Sequence, residues 1–195
     1  MKKIAFLATL LFFQLTSAQD SGTTQTASSI ELKKNEIKFD VVALIAMSKF
    51  HVSYERFLNN DFSVGISGVL NASNKNKEDF DNGFNETLPQ YEVNPFVRYS
   101  LSKSAVSYYF VEAFISVNGG KYRELRRFTE DGYGYWDAVE DNYTDMAIGG
   151  AAGYKLYIKE KFGIEVFVGV GRNILNMETS PTYVQRVGAN FGYRF

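Results

Sequence analysis

The single histidine of the chain lies in the run His51-Val52-Ser53-Tyr54-Glu55. Alternate side chains of an extended strand share a face. His51, Ser53 and Glu55 would then stand together as a base, a hydroxyl and an acid, the set from which Ser/His/acid hydrolases are built. The competing reading is an interior polar network, and the neighbours favour it. Phe50, Val52, Tyr54 and Leu58 make the opposite parity apolar, so the triplet joins the other charged side chains inside, where small barrels pack side chains. A second candidate, Asp79-Phe80-Asp81-Asn82-Gly83-Phe84-Asn85-Glu86, has oxygen ligands and a glycine that could hold Ca²⁺. It lacks the spacing of an EF-hand loop and reads as a solvated loop. With no cysteine, disulfides, thiol catalysis and Cys-based metal sites are excluded. No catalytic, cofactor or metal residue is assigned.

The elements that position these side chains are strands. Aromatic residues make up 16% of the chain and prolines number three, a mixture that favours strands over helices. Period-two alternation recurs over residues 36–46, 49–58, 61–71, 91–101, 107–118, 143–158, 163–173 and 182–195. In the fifth segment Tyr109, Val111, Ala113, Ile115 and Val117 share one parity; in the seventh, Ile164, Val166, Val168 and Val170 do. The opposite parity carries Lys38, Asp40, His51, Glu55, Glu92, Arg98, Glu112, Asp145, Lys155, Glu165, Arg186 and Arg194. These near-balanced charges are expected to pair across a lumen, since buried charges persist only when paired.

Before the strands come two other segments. Lys2 and Lys3, the apolar run from Ile4 to Leu15 and the small residues Thr16-Ser17-Ala18 read as a cleaved export signal over 1–18. That run is shorter than the roughly 20 residues of a membrane-spanning helix. Residues 19–34 are rich in Ser, Thr and Gln and read as a flexible periplasmic leader, with the barrel domain at 35–195. Of the 21 basic residues two fall in the signal, leaving 19 against 22 acidic ones; this is no nucleic-acid footprint.

Three features turn the apolar parity outward, toward lipid. Links at 59–60, 102–106 and 159–162 are short, whereas those at 72–90 and 119–142 are long and polar. Aromatics flank the aliphatic centres: Phe39, Phe62, Tyr99, Tyr109, Tyr154, Tyr193 and Phe195 near the short turns, and Phe50, Tyr91 and Tyr183 near the long loops. Glycines collect on the polar parity, at 65, 149, 153, 169, 171, 188 and 192, as a crowded lumen requires. The expected fold is all-β: a closed antiparallel eight-stranded transmembrane β-barrel.

Val187-Gly188-Ala189-Asn190-Phe191-Gly192-Tyr193-Arg194-Phe195 resembles the carboxy-terminal signal read by the outer-membrane assembly machinery, which makes Phe191, Tyr193 and Phe195 candidate signal residues. The stretch from Lys34 to Leu70, with Tyr54-Glu55-Arg56 before a tight turn at Asn59-Asn60-Asp61, resembles the opening of small outer-membrane barrels of Bacteroidetes-type bacteria. Gln19, directly after the cleavage point, is common in such precursors. The wider group is the OmpA/OmpX/OmpW-like barrels. The first outer connection, around Ala46 to Ser48, reads as unusually short for it. His51-x-Ser53 also resembles the pair of the outer-membrane lipid A deacylases, but a lumen-facing pair is poorly placed for an acyl chain in the outer leaflet.

The expected role is structural, in membrane integrity or surface interaction, without catalysis; a narrow small-solute channel is the alternative, and a lipid A-modifying enzyme a more distant one. Expected partners are outer-membrane lipid and lipopolysaccharide, the assembly machinery, and an extracellular protein or glycan at the long loops, with the protein itself a monomer. Asp131-Gly132 is a hairpin-turn signal, and Tyr122, Phe128, Tyr133, Tyr135 and Trp136 around it are the candidate contact residues.

Overall fold

Alternation along the chain becomes eight antiparallel strands that close on themselves. In order they are β1 (Asn35–Asp40), β2 (Lys49–Phe57), β3 (Phe62–Asn71), β4 (Thr87–Ser100), β5 (Ser107–Glu130), β6 (Tyr133–Ile158), β7 (Phe162–Asn173) and β8 (Tyr183–Arg194). Each pairs with the next, and β1 pairs with β8 to complete the barrel. This computed structural model describes residues 30–102, 104–130 and 133–195. The export segment, residues 19–29 of the leader and the Asp131-Gly132 turn lie outside the described residues.

The apolar parity faces out. Val111, Ile115 and Val117 of β5, Ile164, Val166, Val168 and Val170 of β7, and Val93 and Val97 of β4 are exposed, while Glu112, Glu165 and Arg98 between them are buried. Such a belt far exceeds the apolar patches that soluble proteins tolerate, and hydrocarbon is the solvent that suits it. No helix among the described residues is long and apolar enough to cross a membrane; strands make the crossing. At the short-turn end, ring pairs join neighbouring strands: Phe62–Tyr99 at 5.0 Å, Tyr109–Tyr154 at 4.8 Å and Phe162–Tyr193 at 5.6 Å.

Three boundaries differ from the alternation. The first strand, expected to reach residue 46, ends at Asp40, and Val41–Met47 forms a helix, α1. Its sequence, VVALIAM, is apolar on both parities, so nothing in it selects a strand. The Asp40 carboxylate accepts from the Ala43 amide at 2.8 Å as an N-cap, and Ser48 ends the helix at φ 52°. The outer connection is thus not a short turn but this helix. The loop at 72–90 holds a second helix, α2 (Asn74–Asp81), capped by Ser73, and β4 starts at Thr87 rather than 91. Its early part includes Pro89 at a register irregularity, the place where a strand tolerates a residue without an N–H. The segment 119–142 is no loop: β5 and β6 remain paired from Gly119↔Thr144 to Glu130↔Tyr133, in a ribbon that leaves β4 behind at Tyr122.

At the opposite end, residues 30–34 of the leader segment pack on the barrel floor. Ile30 is fully buried among Phe57, Tyr108 and Tyr157. The Lys33 carbonyl accepts from Arg194 Nε at 2.7 Å, and Lys33 Nζ donates to the Glu160 carbonyl at 3.1 Å.

Candidate functional site

The lumen is filled by a charge network on the inward parity of seven strands. Lys38 of β1 donates to Glu55 of β2 at 2.7 Å and to Glu165 of β7 at 3.1 Å. Arg98 of β4 binds Glu165 through both terminal nitrogens, at 2.6 and 3.0 Å, and Glu112 of β5 through Nε at 2.5 Å. Lys155 of β6 bridges Glu36 and Glu55, each at 2.8 Å. Arg186 of β8 completes the set on Glu112. Four carboxylates thus meet four cations with no net charge left over, all of them buried. Neutral donors finish the shell: Tyr157 Oη to Glu36 at 2.7 Å, Ser63 Oγ to Glu55 at 2.5 Å and Asn190 Nδ2 to Glu165 at 2.9 Å. Buried ions of this kind are tolerable because each is paired and hydrogen-bonded.

Aromatic rings close the spaces between the ions. Arg98 lies over Phe96 and Phe110, at 4.7 and 4.2 Å, and Arg186 over Phe114 at 4.5 Å. Arg194 is not in the central network; it stacks on Phe57 at 3.6 Å on the floor. The inward glycines make room for these rings. Phe110 lies opposite Gly153 and Phe114 opposite Gly149 across the β5–β6 pair. A Cβ on Gly153 would come within 2.5 Å of the Phe110 ring, and one on Gly149 equally close to Phe114. A void beside Glu55, Ser63 and Arg98 measures about 20 Å³, room for roughly one water molecule.

His51 does not join Ser53 and Glu55. Its Nδ1 faces Asp40 Oδ2 at 3.4 Å, Ser53 makes no side-chain hydrogen bond among the described residues, and Glu55 is committed to Lys38, Arg98, Lys155 and Ser63. The hydrolase arrangement is therefore absent. Asp145 is buried, but it serves the β7–β8 connection, accepting from the Leu175 amide at 2.9 Å, the Asn176 amide at 3.1 Å and the Ser180 hydroxyl. Sequence reasoning missed Glu36 and the inward rings of Phe57, Phe96, Tyr108, Phe110, Phe114, Tyr157 and Phe167. Their parity with Lys38, Glu112, Lys155 and Glu165 was the available signal.

Outside the membrane, the ribbon sorts the candidate aromatics onto two faces. Register places Tyr122, Phe128, Tyr133 and Tyr135 on one, and Trp136 with Leu125 and Arg127 on the other. Phe128 and Tyr135 stack at 5.8 Å. At the ribbon base Arg123 donates to Glu140 at 2.6 Å, which holds that carboxyl below its ordinary range. Arg123 also lies 4.9 Å from the buried Phe80 ring of α2, tying the ribbon to the neighbouring loop.

No protein-family description matches the sequence, and no curated protein does. Solved structures do. The amino-terminal β-barrel domain of Pseudomonas aeruginosa OprF superposes with a TM-score of 0.54 at 13% identity, covering 84% of this chain and 98% of that one. The fold is that of a small eight-stranded outer-membrane β-barrel. Two further outer-membrane barrels match more loosely. Neisserial surface protein A gives 0.48 at 10% identity over 83% of this chain and 95% of its own. Ail, the attachment invasion locus protein of Yersinia pestis, gives 0.46 at 13% identity over 84% and 99%.

Proposed function

We propose that this outer-membrane barrel is exported by cleavage after residue 18 and works without catalysis, as a monomeric anchor that presents its β5–β6 ribbon for surface interaction. The observation that carries this reading is the contrast between lumen and ribbon. At mid-height the lumen pairs its charged side chains with one another, whereas the ribbon shows large side chains to solvent: Tyr133 is 83% exposed, Leu125 69% and Trp136 66%. Tyr, Trp and Arg most often dominate binding energy at interfaces, and loops on rigid scaffolds collect binding functions. A cleft of about 750 Å³ at the ribbon base, lined by Tyr122, Arg123, Glu124, Met177 and Glu178, adds a concave element. The partner class that fits is an extracellular protein or glycan.

The test is truncation. Replacing residues 122–138 with an Asn-Gly turn should leave a barrel that assembles and shifts on heating, yet abolish adhesion and partner pull-down. A truncated barrel that keeps every such interaction would reduce the ribbon to scaffold. The channel alternative meets a lumen that paired charges and aromatic rings fill among the described residues.

A further inference from the structure

In the outer half of the barrel the wall is incomplete. Strand β1 stops at Asp40, opposite Asn190, so β8 from Tyr183 to Ala189 has no strand on its β1 side. On the other flank β2 continues past the last β1 pair, Phe39↔Val52, to Lys49. The seven-residue α1 occupies the gap, with Ala43 turned inward and buried. Val41, Val42, Leu44, Ile45 and Met47 are exposed, so the filler is apolar on every other side. The helix meets part of its own backbone hydrogen bonding, and the Asp40 cap meets one more amide, where a strand is missing.

A cavity of about 130 Å³ lies behind this helix, bounded by Ala43, Met47, Lys49, His51, Glu92 and Phe167. From β8 it takes Arg186, which faces the lumen, and Gln185 and Val187, which face outward. It therefore lies against the free edge of that strand. Arg186 is committed to Glu112 below, but other polar groups of the cavity are unspent. Lys49, Glu92 and Gln185 make no side-chain hydrogen bond or ion pair among the described residues, whereas every charged residue of the network below is paired. His51, buried and held through Nδ1 by Asp40, has an Nε2 without a partner. An unsatisfied buried nitrogen costs free energy unless something meets it.

We propose that this cavity is a side-entry binding site for the zwitterionic headgroup of an outer-leaflet lipid. The anionic group meets Lys49, the ammonium group meets Glu92, and His51 Nε2 takes a remaining hydrogen bond. The acyl chains stay outside along α1 and Val187. A free cation and a free carboxylate in one cavity select a ligand carrying both charges, and the apolar gap selects one with a hydrocarbon tail. The size agrees, since a cavity near 150 Å³ holds a molecule such as benzene, comparable to a small headgroup.

Native mass spectrometry of the purified full chain in detergent provides the test, with phosphatidylethanolamine, phosphatidylglycerol and soluble phosphoethanolamine as probes. Phosphatidylethanolamine should be retained about ten-fold over phosphatidylglycerol, and Lys49→Gln with Glu92→Gln should erase the preference in a barrel that still shifts on heating. If the double variant fails to assemble, either single substitution should lower retention of phosphatidylethanolamine. Equal retention of the two lipids, or a preference that survives the substitutions, would overturn the site. Soluble phosphoethanolamine binding as tightly as the lipid would overturn side entry, because the zwitterion would then arrive from the outer mouth.

Discussion

Arg98 is the residue on which most of the lumen depends, since it contacts Glu55, Glu112 and Glu165 at once. Arg98→Met would leave those carboxylates short of a counter-charge in a buried site. Breaking such a pair costs about 3–5 kcal/mol, far more than the intact pair contributes. Urea unfolding followed by gel mobility should show a loss of that order. Gly153 supplies a second test at this scale. A valine there has no space between the Phe110 ring and the Val166 carbonyl, so Gly153→Val should block assembly, with Phe110→Ala restoring it only in part. His51→Ala should cost much less, about 1 kcal/mol, because Asp40 keeps its Ala43 and Ala189 amide donors. Which inward residues are charged was readable from parity; which carboxylate meets which cation was not. Lys38 and Glu165 are 127 residues apart, and their meeting depends on strand stagger around the barrel, which alternation along one strand does not encode.

Among the elements, legibility followed the contrast between the two parities. It was strong from Tyr109 to Val117 and from Ile164 to Val170, and those strands stand where alternation put them. It vanished in Val41–Met47, where both parities are apolar and the Asp40 cap decided for a helix. The ribbon was obscured for the opposite reason: over Arg123–Glu130 both parities carry polar groups, and cross-strand pairs such as Phe128–Tyr135 and Arg123–Glu140 hold the strands together. Asp40→Ala removes the helix cap and should destabilise the outer half of the barrel by about 1–2 kcal/mol, seen as faster amide exchange confined to α1 and its neighbours. At the other end of the chain, Phe195 lies on the outward parity with Tyr193, stacked at 6.2 Å. If it belongs to an assembly signal, Phe195→Asp should lower membrane levels sharply without changing the properties of the barrels that do assemble.

At the scale of the whole molecule, a lumen sealed by side chains stands below an exposed ribbon. The seal has three parts: Ile30 and Arg194 at the floor, the balanced network at mid-height, and the Asn118–Asn173 pair, joined at 2.8 Å, above it. Eight-stranded barrels have interiors just wide enough for side chains to fill, and here charged and aromatic groups fill it together. On the function proposed above, the filled lumen leaves interaction to the ribbon, the loops and the lipid boundary. Single-channel recording of the purified protein in planar bilayers tests this most directly. The account predicts no steady conductance, with Arg98→Ala altering stability rather than producing a defined open level. Reproducible conductance steps in the unaltered protein, changed in size by Arg98→Ala or Glu112→Ala, would contradict it.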